Sequence, residues 1–567
     1  MDRSRVSSTS IRKMLGGGVL LVILGLAFAA PRLVALGRFV TADEPTWGKR
    51  SATFYLALSK GDYPATFLSP HPGVTTMWAG AGAFHLKFPK YARVGEVRMG
   101  DSKLFQLFFR HGPRPIEVLA MARALVVLMN LIAFLLGLIF ARRLFGLIPA
   151  LVGCLFIAFD PFYLAHSRLL HVDGLLSSFL FLSVLAYLDF LQNRRGWSLV
   201  VSGMAAGLSL LTKTPAVILA PLLLLLTILD IFRQKQFSDQ ERAASIRRTG
   251  AGLLLWGGTT LLVVFLLWPA LWRNPATTLS QTLAYTLDSA EGELGGAQFV
   301  EAFQAGEADP SNFWYFYPLS YLWRSTPVIL IGLAAATLAI WKRWPPLADR
   351  NPRFAVLGLF LFIVAFTLLM TLGSKKFDRY LLPVYLPLDL IAGLGWVAVA
   401  SWSTRKLRKP TAQVLAGIIL LAALAFQAIG TLQHYPYYLT YYNPLLGGSR
   451  KAQEVMMVGW GEGLNEAATY LRQVPGIQDR LIYSWYTLAF DWYSASYKIL
   501  AEQIPFPSGS SEHVQLTYDT ADYIVVYINQ WQRDIPGSLF DYLETKTPEH
   551  TIWIDGVEYV KIYKVKP

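Results

Sequence analysis

Apolar runs of about 20 residues dominate this sequence, and they constrain its fold more than any other feature. A helix needs about that length to cross the hydrocarbon core of a bilayer. Such runs recur about eleven times and predict an all-α, polytopic membrane region. They are centred on residues 16–37, 116–140, 146–163, 173–192, 197–211, 214–232, 250–271, 326–341, 354–373, 380–400 and 411–432.

The composition agrees with a membrane location. Of the 567 residues, 54% are hydrophobic and 16% are charged, whereas soluble globular proteins have about 45–50% and about 25%. In a soluble protein, a net charge of +14 would suggest a nucleic-acid partner. In a membrane protein, the first explanation is that basic residues are concentrated in the cytoplasmic loops. We therefore expect no nucleic-acid partner. Cys154 is the only cysteine, which excludes a disulfide framework and a CxxC metal site.

The positive charges fall in alternate loops. With eleven spans, the Lys- and Arg-rich loops all lie on one side, which the charge rule makes cytoplasmic. The loop 273–325 and the tail 433–567 then lie on the opposite, extracytoplasmic side. The N-terminus also resembles a cleavable signal peptide, an alternative that leaves Asp43 on the same side. The expected location is the cell membrane, crossed several times.

Two adjacent carboxylates, Asp43 and Glu44, follow the first apolar run, close to the membrane where charge is costly. Five basic residues on the same side depart from the charge rule. A single one is explained by a side chain that snorkels from a helix end. Together they favour a site for an anion at the membrane surface, and phosphate is the natural ligand of Lys and Arg. They are Arg168, Lys213, Lys375, Lys376 and Arg379.

Several segments resemble the protein O-mannosyltransferase family and its bacterial relatives, among them the aminoarabinose-to-lipid A transferases. The resemblance covers about residues 15–432. It implies a GT-C fold and an enzyme that uses a sugar linked to polyprenyl phosphate. The tail, with GWGEGLNEAATYL, resembles the tails of prokaryotic glycosyltransferases of this kind. The segments are TADEPTW, SPHPGVTTMW, HSRLLHVDGLLSSFLFLS, LLTKTPAVILAP, GSKKFDRYLLPVYLPLDL and YPYYLTYYNPLLGG.

The resemblance implies that Asp43 is the general base, which takes the proton of a weakly nucleophilic acceptor hydroxyl. Glu44 would orient the acceptor or share the site. A structural alternative for Asp43 is that it only caps the following helix. Arg168 and Asp173 match an R-x4-D element, in which Arg168 would hold Asp173 or Asp43 in place. Helix capping is equally an explanation for Asp173.

The remaining candidate site residues are possible ligands of a phosphate or of a metal ion. His71 lies in an His-Pro-Gly element that would contact phosphate or a metal, or would be an ordinary polar loop residue. Lys213, Lys375, Lys376 and Arg379 are candidates to stabilise charge on the departing phosphate, and Asp378 is expected to pair with one of these cations. His166, His171 and Asp173 leave a divalent metal open as an alternative, and the resemblance does not decide it, because catalysis in this family is not uniformly metal-dependent.

Two domains are expected: a transmembrane GT-C glycosyltransferase domain at residues 1–432, and an extracytoplasmic soluble α/β domain at 433–567. In the tail, DYIVVYI predicts a strand. TIWIDGVEYVKIY has the Asp-Gly turn of a hairpin at Asp555 and Gly556. GEGLNEAATYLRQ predicts a helix.

The resemblance thus implies an inverting glycosyltransferase whose site faces the extracytoplasmic side. Its partners would be a polyprenyl-phosphate-linked sugar, membrane lipids, and an acceptor hydroxyl on a protein, a lipid or a glycan. The alternative is a transporter or flippase of polyprenyl-linked sugars, which needs the basic site but no base. Transporters often show internal repeats and charges at mid-membrane depth. Neither is evident in this sequence, which favours the enzyme.

The predicted topology can be tested with introduced cysteines. A cysteine near Arg242 lies on the predicted cytoplasmic side and one near Glu301 on the other. We expect a membrane-impermeant thiol reagent to label only the second in intact cells. The unmodified chain, with Cys154 alone, is the control. Labelling of both sites, or the reverse pattern, contradicts the eleven-span arrangement.

Overall fold

The computed structural model describes most of the chain. The described residues are 8–69, 72–96, 99–233, 239–291, 314–373, 376–507 and 510–566. They form a helical membrane region followed by a tail with a small β-sheet, as the sequence predicts for the fold class.

Helices make up nearly all of the membrane region. Proline stands at the first or second position of several of them, including α6, α8 and α15, where the missing N–H has no intrahelical partner to lose. The helices are α1 (Ser8–Leu33), α2 (Glu44–Lys60), α3 (Val74–Lys87), α4 (Tyr91–Val94), α5 (Asp101–His111), α6 (Pro115–Phe145), α7 (Leu147–Ala158), α8 (Pro161–His166), α9 (Val172–Asn193), α10 (Gly196–Thr212), α11 (Leu219–Arg233), α12 (Asp239–Leu267), α13 (Pro275–Glu291), α14 (Phe316–Arg324), α15 (Pro327–Trp341), α16 (Pro345–Ala348), α17 (Arg350–Leu372), α18 (Tyr385–Thr404) and α19 (Lys409–Leu432).

Each predicted apolar run coincides with an apolar helix. By length and composition, seven helical segments of the described chain are able to cross a membrane, or eight if α14 and α15, bent by 117°, count as one span. Three further apolar helices are shorter: Gly18–Leu33 within α1, α7 and α10. The protein is therefore a multi-pass membrane protein, while the count of eleven spans remains a prediction.

The helix α9 lies at the centre of the membrane region, where the whole of its apolar stretch is buried. Ser183 of α9 and Ser202 of α10 hold the two helices together, because each hydroxyl donates to the other residue's carbonyl, at 2.9 and 2.8 Å. On the other side of α10, a Cβ on Gly207 would lie 2.8 Å from the carbonyl oxygen of Thr260 in α12. Small and hydroxylated residues thus let these helices pack closely.

The tail is an α/β unit with a five-stranded mixed sheet within its described residues. The strand order is β2-β1-β3-β5-β4; β1 is parallel to β2 and β3, and β5 is antiparallel to β3 and β4. The strands are β1 (Ile482–Ser484), β2 (Glu502–Gln503), β3 (Tyr523–Tyr527), β4 (His550–Ile554) and β5 (Val557–Lys564). The helices are α20 (Gly448–Val455), α21 (Leu464–Leu471), α22 (Thr487–Ser494), α23 (Ser511–Tyr518), α24 (Ile528–Trp531) and α25 (Gly537–Leu543).

The local predictions for the tail are confirmed. Asp555 and Gly556 join β4 to β5 with φ of 50° and 76°, which are the positive values that a tight hairpin turn of this type requires. The predicted strand in DYIVVYI is β3. All five residues of β3 are buried, because helices cover both faces of this central strand, so its side chains do not alternate between core and solvent.

The tail is docked on the membrane region through the segment Gly459–Trp460–Gly461–Glu462–Gly463, here called the GWGEG loop. Its three glycines have φ between 87° and 124°, a region that favours glycine. The amide of Ala42 donates to the carbonyl of Trp460 at 2.9 Å. A Cβ on Gly461 would lie 2.2 Å from the carbonyl oxygen of Val40. The loop therefore packs backbone against backbone on the segment that carries Asp43.

Substitution of Gly461 by alanine tests this docking. The added Cβ collides with backbone that cannot yield, so we expect G461A to lower the thermal unfolding temperature and to make the tail more susceptible to limited proteolysis. The strain of the positive φ alone costs about 1–3 kcal/mol. Gly476→Ala is the matched control, since Gly476 has a φ of 70° but no atom within 4 Å of the added Cβ. Equal effects of both substitutions would contradict tight docking.

Candidate active site

A cavity of about 240 Å³ lies between the membrane region and the tail. Asp43, His166, Arg324 and Arg379 line it from the membrane region, and the GWGEG loop and α24 line it from the tail. The tail therefore contributes a wall of the cavity, which the sequence did not predict.

Asp43 lies in the segment between α1 and α2 and presents one free oxygen to this cavity. Its Oδ2 is 3.4 Å from Nε2 of His171 and 3.4 Å from Nη2 of Arg379. No described residue donates to Oδ1, and the side chain is 40% exposed. Asp43 occupies the N-cap position of α2 but makes no side-chain capping bond, so capping does not explain it.

The surroundings of Asp43 keep its carboxylate ionised. Burial favours the neutral acid, but the hydrogen bond with His171 and the positive charge of Arg379 outweigh it and lower the pKa of Asp43 to about 2. At neutral pH the group is thus a carboxylate with one oxygen available to accept a proton. A carboxylate of such low pKa is a weak base in water, so it could accept a proton only from a group held next to it.

Glu44, the neighbour of Asp43, is a structural carboxylate. It is fully buried (0% exposed) and pairs with Arg123 of α6, whose Nε donates to Oε1 at 2.7 Å. The amide of Leu170 donates to the same oxygen at 2.9 Å, and the amide and hydroxyl of Thr41 each donate to Oε2 at 3.0 Å. These bonds saturate both oxygens and join three segments of the chain. The arrangement does not support the prediction that Glu44 orients the acceptor.

Asp173, in the first turn of α9, contacts the two residues that hold Asp43, and Lys213 as well. Its Oδ1 accepts a hydrogen bond of 2.8 Å from Nζ of Lys213, and its Oδ2 lies 3.3 Å from Nδ1 of His171. Nε of Arg379 is 3.6 Å from the same Oδ2. His171 is thus held between Asp43 and Asp173. This arrangement makes His171 and Asp173 positioning residues for the free carboxylate.

Most of the predicted phosphate-binding cations serve other contacts. Lys213 is occupied by Asp173 and by the ring of Tyr380, 3.9 Å from its Nζ. Lys376 donates to the carbonyls of Thr371 and Gly373 at 2.8 and 2.7 Å, which caps the end of α17. Among the cations that the sequence predicted, Arg379 is the one that lines the cavity within the described residues.

Arg168 contacts neither Asp173 nor Asp43. It donates to the carbonyl of Val34 and lies over the ring of Tyr438, so it joins the end of α1 to the start of the tail. His71 and Lys375 lie outside the described residues.

Several cavity residues were not predicted from the sequence, among them Arg324 and Trp460. Arg324, at the end of α14, pairs with Asp378 at 2.8 Å and donates to the carbonyl of Leu439 at 2.6 Å. The prediction that Asp378 pairs with one of the candidate phosphate-binding cations did not include Arg324. Trp460 stacks on the guanidinium of Arg379, with 4.7 Å between them. The alternating glycines around Trp460 were the available signal, because they indicate a loop with an unusual backbone.

The candidates His166, His171 and Asp173 are not arranged as metal ligands within the described residues, which do not include His71. Within the part of the chain that the structure describes, no group of three or more His, Cys, Asp and Glu side chains is arranged to hold a metal. His166 faces the rings of Phe162 and Trp460 rather than a carboxylate oxygen, and burial lowers its pKa to about 3. The two ring nitrogens of His171 each face an aspartate oxygen, of Asp43 and of Asp173. No step of the chemistry below uses a metal.

Comparison with known proteins gives one match in sequence. Residues 117–243 match the family described as dolichyl-phosphate-mannose-protein mannosyltransferase. This is less than a quarter of the chain, and it confirms the predicted resemblance over α6 to α11. No curated protein matches the chain in sequence.

Solved structures give further similarities. ArnT from Cupriavidus metallidurans bound to undecaprenyl phosphate has a TM-score of 0.48 and 15% identity over 96% of this chain and 98% of that one. The Archaeoglobus fulgidus oligosaccharyltransferase has a TM-score of 0.45 and 13% identity, over 92% of this chain and 69% of that one. The S. cerevisiae protein O-mannosyltransferase Pmt1-Pmt2 complex has a TM-score of 0.35 and 17% identity, over 49% of this chain and 35% of that one.

The structural role of Glu44 is open to a direct test. E44Q leaves the buried Arg123 without a counter-charge, so we expect a loss of about 3–5 kcal/mol in the free energy of unfolding, seen as a lower melting temperature in detergent. The matched control is E117Q, because Glu117 pairs with Arg114 at the surface, where ion pairs contribute little. Unchanged melting of E44Q would contradict the assignment.

Proposed function

We propose that this protein is a glycosyltransferase that moves a sugar from a polyprenyl phosphate to an acceptor hydroxyl. The observation that carries the proposal is the ionised Asp43, whose Oδ1 is free in a cavity beside the guanidinium of Arg379. A base and a phosphate-binding cation are the two groups that such a transfer needs. The family match, to mannosyltransferases that use dolichyl phosphate mannose, supports the same class of donor.

In the proposed reaction Oδ1 of Asp43 accepts the proton of the acceptor hydroxyl. The acceptor oxygen forms a bond with the anomeric carbon of the sugar, and the bond from that carbon to the phosphate oxygen breaks. The polyprenyl phosphate leaves with the electron pair. A single displacement of this kind inverts the anomeric centre. Because phosphate is already a good leaving group, a general acid is not required.

Arg379 has two tasks in this proposal. It holds Oδ2 of Asp43 through Nη2, and no described residue accepts from its Nη1. This free edge of the guanidinium lines the cavity, where it would neutralise the developing charge on the phosphate. His171 and Asp173 position both groups, and Lys213 neutralises Asp173 so that the carboxylate does not repel a phosphate.

The proposed arrangement of the chain follows from these contacts. The membrane domain, residues 1–432, supplies the base and the cation, and the tail domain, residues 433–567, closes the cavity. We place the cavity on the extracytoplasmic face because of the charge asymmetry of the loops. The acceptor class, whether protein, lipid or glycan, is left open by this proposal.

Substitution of Asp43 by asparagine separates catalysis from binding. D43N keeps the size of the side chain but removes the basic oxygen, so we expect the transfer rate to fall by roughly 10²–10⁴. Binding of the polyprenyl-phosphate sugar should not weaken, because a negative charge near the phosphate is lost. The measurements are transfer of radiolabelled sugar and donor binding on the same purified preparation.

Arg379→Ala is the contrasting variant. It removes a charge-assisted contact to phosphate, and we expect donor affinity to fall by about 1.5–3 kcal/mol. A flippase would lose lipid movement in R379A but keep it in D43N. Normal sugar transfer by a folded D43N would remove Asp43 as the base.

A further inference from the structure

The tail wall of the cavity carries two buried acceptor oxygens that the proposed reaction does not use. They are Oε1 of Glu462, in the GWGEG loop, and Oδ1 of Asn529, in α24. Both residues line the cavity, and they are only 1% and 3% exposed. Neither oxygen has a hydrogen-bond partner among the described residues.

Glu462 is held so that one oxygen is fully engaged and the other is not. Its Oε2 accepts from the amide of Trp460 at 2.6 Å and from the hydroxyl of Tyr527 at 3.1 Å. The amide of Gly461 donates to the same Tyr527 hydroxyl at 2.8 Å, which fixes the direction in which Tyr527 donates. The orientation of the carboxyl is therefore determined by the tail itself, and Oε1 is left over.

Asn529 likewise has one polar atom that is hydrogen-bonded and one that is not. Its Nδ2 donates to the hydroxyl of Tyr486, which also lines the cavity. In this orientation of the amide, Oδ1 has no donor among the described residues. A buried acceptor without a hydrogen-bond partner lowers the stability of the fold. Two of them in one wall indicate a surface that a ligand with hydroxyl groups would complete.

Charged side chains line the cavity on both sides. The membrane side carries Arg324 and Arg379 together with Asp43 and Asp378, whereas the tail side carries Arg533 and the two unpaired oxygens. A phosphate would be attracted to the guanidinium of Arg379 and repelled by a carboxylate. A hydroxyl group both donates and accepts, so it matches Glu462 in either protonation state.

The size of the cavity favours a single sugar ring. Its volume of about 240 Å³ is below the 300–1,000 Å³ of sites that hold drug-sized ligands.

We propose that Glu462 and Asn529 bind hydroxyl groups of the sugar that is transferred, and so determine which sugar the protein accepts. This inference rests on the proposed function, since it assigns the phosphate end of the same donor to Arg379. It makes the tail the part of the protein that recognises the sugar.

The test compares lipids with and without a sugar. The probes are polyprenyl phosphates carrying mannose, glucose or galactose, and unmodified polyprenyl phosphate. The wild type identifies which sugar-bearing lipid binds most tightly. For that lipid we expect E462Q and N529L each to weaken binding about tenfold, the effect of losing one hydrogen bond that a polar ligand makes in a buried site. Unmodified polyprenyl phosphate should bind all variants equally and so report an intact fold.

Glu558→Gln is the matched control, because Glu558 makes a partly exposed pair with Lys561 on β5, outside the cavity wall. An equal loss of affinity for both kinds of lipid would mean that the substitutions act on structure. Unchanged affinity for the sugar-bearing lipid would mean that ordered water satisfies the two oxygens. Either result overturns the inference.

The proposed function fails in a different way. If the wild type transfers sugar from none of the three donors and prefers none of them to unmodified polyprenyl phosphate, the glycosyltransferase proposal falls and this inference falls with it. If the wild type transfers sugar and both variants bind and transfer as it does, only the role of Glu462 and Asn529 is overturned.

Discussion

The buried ion pair of Glu44 and Arg123 is the interaction on which the candidate site depends. One carboxylate binds α6, the segment before α2 and the turn before α9 at once. Because Asp43 is the adjacent residue, its backbone cannot move while Glu44 stays in place. Two neighbouring carboxylates therefore have opposite environments. One is saturated and holds the backbone, and the other keeps a free oxygen in the cavity.

The balance of charge around the cavity explains why several basic residues lie so close to the membrane. Asp173 is matched by Lys213 and Asp378 by Arg324, since an unpaired charge would be costly in this environment. Arg379 is shared between Asp43 and Asp173. Of the basic residues that the sequence grouped as a single phosphate site, Lys213 and Arg379 thus pair with carboxylates, Arg168 and Lys376 bind backbone carbonyls, and Arg379 retains a free edge.

What the sequence predicted well is local. The break between α10 and α11 falls at Lys213, and the β4–β5 hairpin turns at Asp555 and Gly556, because residues at those points determine the backbone. The partners of Glu44 and Arg324 could not be predicted, since Arg123 and Asp378 are far away in sequence. The stacking of Trp460 on Arg379 could not be predicted either, because these two residues are also far apart in the sequence.

The docked GWGEG loop has a consequence for how the protein is made. Ribosomes synthesise the membrane region first and the tail last, and domains generally fold as they emerge. The segment that carries Asp43 receives its backbone partner, the carbonyl of Trp460, only after more than 400 further residues have been added. A partly synthesised chain therefore has Asp43 but lacks one wall of the cavity. The cavity is enclosed only once the tail has been completed and has docked.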